Sequence, residues 1–149
     1  MRVVVQRVKE ASVKIDNKIH SSIGEGLLLL VGIRVDDSVE TVRKMAKKIL
    51  NLRIFTDEND KMNLSLIDKG YKVLSVSQFT LSADLKKGNR PSFTEAEKPE
   101  RAKLLYELFN EALEEEVSVS KGVFQAHMEV SLVNDGPVTI IMDSRDMKL

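Results

Sequence analysis

The chain has 149 residues, 42% of them hydrophobic, with Lys+Arg and Asp+Glu both at 23 and therefore no net charge. That length supports one domain, residues 1–149, with a proper core, and the balanced charge excludes a global field that would draw the whole surface onto nucleic acid. The absence of cysteine excludes disulfides, thiolate nucleophiles and Cys-based zinc sites, and two distant histidines, His20 and His127, argue against a His-rich metal centre.

In chain order, Arg2 to Val8 reads as a β-branched strand. Val13 and Ile15, then Asp16-Asn17, then Ile19, read as a second strand and a hairpin turn. After the break at Gly24-Glu25-Gly26, the apolar run from Leu27 to Ile33 has strand length and predicts a central strand buried on both faces. Asp37 with Glu40 resembles a capping box, opening a helix whose stripe is Val39, Val42, Ala46, Ile49 and Leu50, with Lys47 and Lys48 suiting its C-terminus. A polar loop from Thr56 to Lys61 follows, and then Gly70 precedes a strand through Tyr71, Val73, Leu74 and Val76. Pro99 opens a second helix with Ala102, Leu105, Phe109 and Ala112 at helical spacing; Glu114, Glu115 and Glu116 oppose its dipole and mark a frayed end.

The last elements carry an awkward proline. Met128, Val130 and Leu132 alternate with polar residues, as do Val138, Ile140 and Met142, which predicts two strands joined by a tight turn at Asn134-Asp135-Gly136-Pro137. Asn-Asp-Gly alone would make that turn; Pro137 removes an N–H, fixes φ and makes a Gly-Pro bond that can be cis. A structural turn and a rigid peptide presented to a ligand both fit these residues. The count is six to eight strands and two helices without strict strand-helix alternation, an α+β class of the wider α/β type. No apolar run approaches the roughly 18 residues that would span a bilayer, and no signal-peptide pattern opens the chain, so a cytoplasmic protein is expected.

The usual catalytic equipment is missing: no P-loop or dinucleotide Gly motif, no Gly-x-Ser-x-Gly elbow, no Cys-His pair. Asp57, Glu58 and Asp60 lack EF-hand spacing and read as a solvated loop, and His127 reads as a solvent-facing strand residue. Two features remain. Ser77-Gln78-Phe79-Thr80-Leu81 is a polar run with an embedded aromatic at the end of a buried strand; it is either a strand leaving the core or a small site in which hydroxyls, an amide and backbone N–H groups grip an ester and Phe79 stacks on a base. Lys86, Lys87 and Arg90 are the one compact cationic cluster, a solvated loop or a phosphate contact on an otherwise neutral protein.

Together, Ser77-Gln78-Phe79-Thr80 and Asn134-Asp135-Gly136-Pro137-Val138-Thr139 resemble the two signature segments of the D-aminoacyl-tRNA deacylases. The resemblance runs along essentially the whole chain, through Met1-Arg2-Val3-Val4-Val5-Gln6-Arg7-Val8, Asn51-Leu52-Arg53-Ile54-Phe55 and Lys87-Gly88-Asn89-Arg90-Pro91-Ser92-Phe93. The chain departs from the family pattern at His127, where Asp is frequent, and at Gln125, where a small residue is. The resemblance implies a compact, barrel-like, largely antiparallel β-structure with two main helices, working as a homodimer. It implies hydrolysis of the ester of D-aminoacyl-tRNA with rejection of the L form, and raises the question of glycine mischarged on tRNA. Ser77, Gln78, Phe79 and Thr80 are the implied catalytic segment; Gly136 and Pro137 are the implied chiral filter, a cis peptide entering the partner's site; Asn134, Thr139 and Met128 support them; and Lys86, Lys87 and Arg90 meet the tRNA. No cofactor and no metal is expected. Thr80 is the nucleophile candidate by residue type, yet no general base stands near it in sequence, so water attacking directly, with the N–H groups around Phe79 and Thr80 on the oxyanion, is the expected chemistry. A module that grips the tRNA acceptor end without cleaving it is the alternative.

Overall fold

The structure is a computed structural model and describes residues 1–149. Eight strands and three helices follow in the order β1 (Arg2–Ile15), β2 (Lys18–Ile23), β3 (Gly26–Gly32), α1 (Val39–Leu50), β4 (Phe55–Thr56), β5 (Met62–Leu64), α2 (Leu66–Lys69), β6 (Lys72–Ser77), α3 (Pro99–Glu114), β7 (Val119–Lys121) and β8 (Glu129–Asp143). The main sheet runs β2-β1-β3-β6-β7, with β8 on the other edge of β1, and wraps toward a closed barrel. The β1 pairings and that of β4 with β5 are antiparallel; β3 with β6 and β6 with β7 are parallel. The fold is α+β, and no helix is long and apolar enough to cross a membrane.

The apolar run of β3 is central because both its faces are covered. Leu27, Leu29 and Val31 join Val3, Val5, Val42, Ile49, Leu105 and Phe109 in the core beneath α1 and α3, while Leu28 joins Val8, Val13, Leu74 and Val76 in a smaller cluster on the opposite face. Each fully buried Leu contributes about 1.5–3 kcal/mol, so the alternation within one strand ties two clusters to one frame. Gly26 is required there: a Cβ would stand 1.9 Å from the Lys72 carbonyl oxygen of β6.

Four expectations are corrected. Arg2 to Val8 and Val13 to Ile15 are one strand, because β1 pairs with β3 along its first half and with β2 along its second. Ser38 caps α1, its hydroxyl accepting from the Thr41 N–H, because the Asp37 carboxylate is occupied by the Met1 amine and the Arg34 N–H. A short helix, α2, precedes β6, and Gly70 closes it in the left-handed region at φ 62°. Finally, Asn134 to Pro137 is not a hairpin turn. Both halves of β8 pair with the same strand, Val8 opposite Asn134 and Gln6 opposite Thr139, so residues 135–138 stand opposite Arg7 alone as a large bulge.

Candidate active site

Sequence at the end of β6 converts a strand into a turn. The Gln78 N–H still donates to the Val31 carbonyl at 2.8 Å, continuing the sheet; beyond it, residues Phe79–Ser82 coil into a single 3-10 turn. Phe79 and Thr80 occupy its first two positions, where a helical turn leaves N–H groups without an internal partner. The turn sits hard against Gly32, where a Cβ would lie 3.0 Å from the Leu81 Cβ and 3.2 Å from the Gln78 oxygen. Its far end is held by Arg2, whose Nη1 donates to the Leu81 carbonyl at 2.9 Å and whose Nε donates to Asp143 Oδ2 at 3.1 Å. Asp143 is in turn gripped by both terminal nitrogens of buried Arg34, at 2.9 Å each. Burial pushes the Asp143 carboxyl up, but hydrogen bonds from Arg34, the Arg145 N–H and Arg2 outweigh it and hold it at about 2.

Beside the turn lies a cavity of about 680 Å³ with a mostly apolar wall. The structure brings Ser77, Gln78, Phe79 and Met128 together there with Val76 and Pro99. Thr80 stands on the turn but not on the cavity wall, and its hydroxyl is engaged by the Gln78 side-chain amide. Glu97 is the one carboxylate on the wall, and it is committed: the Lys98 N–H and Arg101 both donate to it, and they hold its carboxyl below the usual range. His127 is exposed, as expected, but it belongs to the loop before β8 rather than to a strand, and it lines this cavity. With it on the wall stand Gln125, at φ 67°, and Phe124 and Phe93, none of which the motifs singled out as site residues.

The β8 bulge is built just as specifically. The Gly136-Pro137 peptide is cis, and Gly136 has φ 127°, a region that favours glycine. Arg7 is the hub: Nε donates to the Asp135 carbonyl at 3.1 Å, Nη1 donates to the Ile54 carbonyl at 2.8 Å, and Nη2 lies 3.0 Å from where a Gly136 Cβ would be. The Asn134 amide donates to the Arg7 and Val138 carbonyls at 2.9 and 3.0 Å, and the Thr139 hydroxyl donates to Asn134 at 3.3 Å. Neither Gly136 nor Pro137 lines the cavity beside Ser77, so within one chain the two signature segments are not brought together. Lys86, Lys87 and Arg90 occupy the exposed end of a loop closed at its base by paired hydrogen bonds between Asp84 and Ser92. They do not reach the cavity wall either.

An α+β barrel-like protein with a backbone-presenting turn on an apolar cavity is the class these features define. The D-Tyr-tRNA(Tyr) deacylase family model matches residues 4–143. A protein of Kosmotoga olearia named D-aminoacyl-tRNA deacylase is 57% identical over 97% of this chain and 98% of its own length. Among solved structures, the c-Myc DNA unwinding element binding protein superposes with TM-score 0.92 at 43% identity, covering 97% of this chain and 99% of its own. A probable eukaryotic D-amino acid tRNA deacylase superposes with TM-score 0.79 at 19% identity, covering 95% and 97%, a likeness of fold. The chain belongs to the D-Tyr-tRNA(Tyr) deacylase family and is a hydrolase of the D-aminoacyl-tRNA deacylase class.

Proposed function

We propose that residues 1–149 act as one cytoplasmic deacylase domain that releases the free D-amino acid from D-aminoacyl-tRNA and rejects the L form at a filter supplied by a second copy of the chain. What carries this reading is the placing of Ser77, Gln78 and Phe79 on the cavity wall at the mouth of a turn with unused N–H groups. An aminoacyl ester needs little more than water and a preorganised oxyanion site; one such donor contributes about 10²–10³ in rate. The Phe79 and Thr80 N–H groups take the oxyanion, Gln78 and Ser77 position the ester, and Phe79 lies beside the terminal adenosine. Thr80 is a positioning residue, because it stands off the cavity wall and its hydroxyl is held by Gln78, while the one carboxylate on the wall is already committed. The substrate's ribose 2′-hydroxyl assists proton movement, and neither metal nor cofactor takes part.

The filter acts in trans on two grounds. Arg2, which anchors the catalytic turn, and Arg7, which anchors the bulge, are five residues apart on β1, roughly 16 Å at a strand rise of about 3.3 Å. One chain therefore holds its turn and its bulge apart. The outer side of β8 also leaves Ile141 69% and Val133 49% exposed, an apolar surface continuous with the bulge and suited to a twofold contact. Met128 closes the cavity, Asn134 and Thr139 keep the bulge in shape, and Lys86, Lys87 and Arg90 meet tRNA phosphates. A side chain on the L face collides with the rigid Gly136-Pro137 backbone; one on the D face points away, and glycine, with no side chain, passes. The test is ester loss from D-tyrosyl-, L-tyrosyl- and glycyl-tRNA. Loss from the D and glycyl forms alone is expected; binding of all three without cleavage leaves a tRNA acceptor-end binding module, and loss of the L ester at the D rate removes the filter.

A further inference from the structure

Phe93 directly follows the base of the cationic loop and meets Phe79 ring to ring, with centroids 5.0 Å apart and planes at 67°. In such an edge-to-face pair each ring keeps at least one face clear of the other. Phe79 is 58% exposed, and Leu85 beside the loop is 61% exposed. None of the ion pairs in the chain uses Lys86, Lys87 or Arg90. The acidic groups around them are spoken for: Asp84 accepts the Lys86 N–H, Glu95 pairs with Arg145 and Glu97 with Arg101. An exposed ring, Phe79, and a half-buried one, Phe93, leading from a cavity to cations without partners form the surface that single-stranded nucleic acid needs, bases stacking on rings while the backbone meets positive charge. Phe93 stands on the cavity wall at the side from which the cationic loop leaves, and a nucleoside seated in the cavity alone would leave the cations unused.

We propose that Phe93, with Phe79, forms a stacking platform for the penultimate nucleotide of the substrate's single-stranded 3′ end. The inference rests on the deacylase reading above and extends it from one nucleotide to two. Its test compares kcat/KM for D-tyrosyl-adenosine with kcat/KM for the D-tyrosyl ester of the trinucleotide CCA, in the unaltered protein and in Phe93→Ala, Phe93→Leu and Phe93→Tyr. The unaltered protein is expected to favour the trinucleotide, and Phe93→Ala to lose about 5- to 150-fold of that preference, mainly through KM. Phe93→Tyr keeps it, because the ring face is retained. Phe93→Leu, which fills space without a stacking face, loses it even if the alanine variant does not fold. A merely structural Phe93 lowers both substrates in parallel and leaves the ratio unchanged, which overturns the proposal, as does an unaltered protein that gains nothing from the added nucleotides. If neither ester is cleaved, the deacylase reading itself fails and this inference falls with it.

Discussion

Gly32→Ala probes whether the geometry of the Phe79–Ser82 turn sets the rate. The new Cβ would lie 3.0 Å from the Leu81 Cβ and 3.2 Å from the Gln78 oxygen, where ordinary contact begins at 3.4 Å, so the turn must retreat by a few tenths of an ångström. Overpacking of this kind costs about 1–3 kcal/mol of stability. A misplacement of 1 Å costs about 10²-fold in rate, so a shift of a few tenths predicts a fall in kcat of roughly fivefold, with KM little changed because the cavity wall at Phe124 and Met128 stays put. Steady-state hydrolysis of D-tyrosyl-tRNA reads the first effect and denaturant unfolding the second. Gly24→Ala is the control, since a Cβ there meets nothing within 4 Å and no positive φ stands in its way. A Gly32→Ala protein that loses the expected stability yet keeps its full kcat refutes the link between turn position and chemistry.

Arg7→Ala strips a donor from the Asp135 and Ile54 carbonyls, at a cost of about 1–3 kcal/mol, and frees the bulge. Cleavage of L-tyrosyl-tRNA should rise relative to the D form, and an unchanged D/L ratio would separate Arg7 from selection. Charge-neutral replacement of Lys86, Lys87 and Arg90 together should flatten the salt dependence of log(kcat/KM) by a slope of about 2, read by varying KCl. Asp143 is held near 2 against an ordinary 3.8, so its ionised form stabilises the fold at pH values above 3.8, by about 2 kcal/mol. That contribution is lost as pH falls from 3.8 through 2, and Asp143→Asn should unfold with a shallower acid transition in that window.

The elements whose signal lies in their own residues were legible: β3 from its unbroken apolar run and α3 from Pro99 and its stripe. What escaped depends on contacts the chain makes far away. Asp37 and Ser38 are both good caps, and the Met1 amine, brought in from the start of the chain, joins the Arg34 N–H in taking Asp37 out of contention. The two halves of β8 carry the pattern of a hairpin, and only the length of β1 shows that they lie end to end on one neighbour. Arg2, Arg7 and Gly32 bear no motif of their own; each acts by approaching a backbone more than 45 residues away. Phe93 and His127 reach the cavity through loops whose path no periodicity encodes.

Whether the filter works in trans can be decided by mixing two variants. Cleavage of L-tyrosyl-tRNA needs a fast turn and a loosened bulge at the same site. If one chain supplied both, every Arg7→Ala protomer would carry that combination, and mixing it with an equal amount of Gly32→Ala protein would leave total L-cleavage unchanged. If the bulge comes from the partner, an Arg7→Ala protomer paired with Gly32→Ala meets an intact bulge, while the slow turn receives the loosened one. Only Arg7→Ala homodimers then cleave the L ester fast, and with random exchange about half of the Arg7→Ala protomers remain in them. L-cleavage should therefore fall by about half as subunits exchange, while D-cleavage, which follows the number of fast turns, holds steady. The roughly 16 Å of β1 between the two arginine anchors makes the halving the expected result, and a constant L rate after verified exchange would return the filter to its own chain.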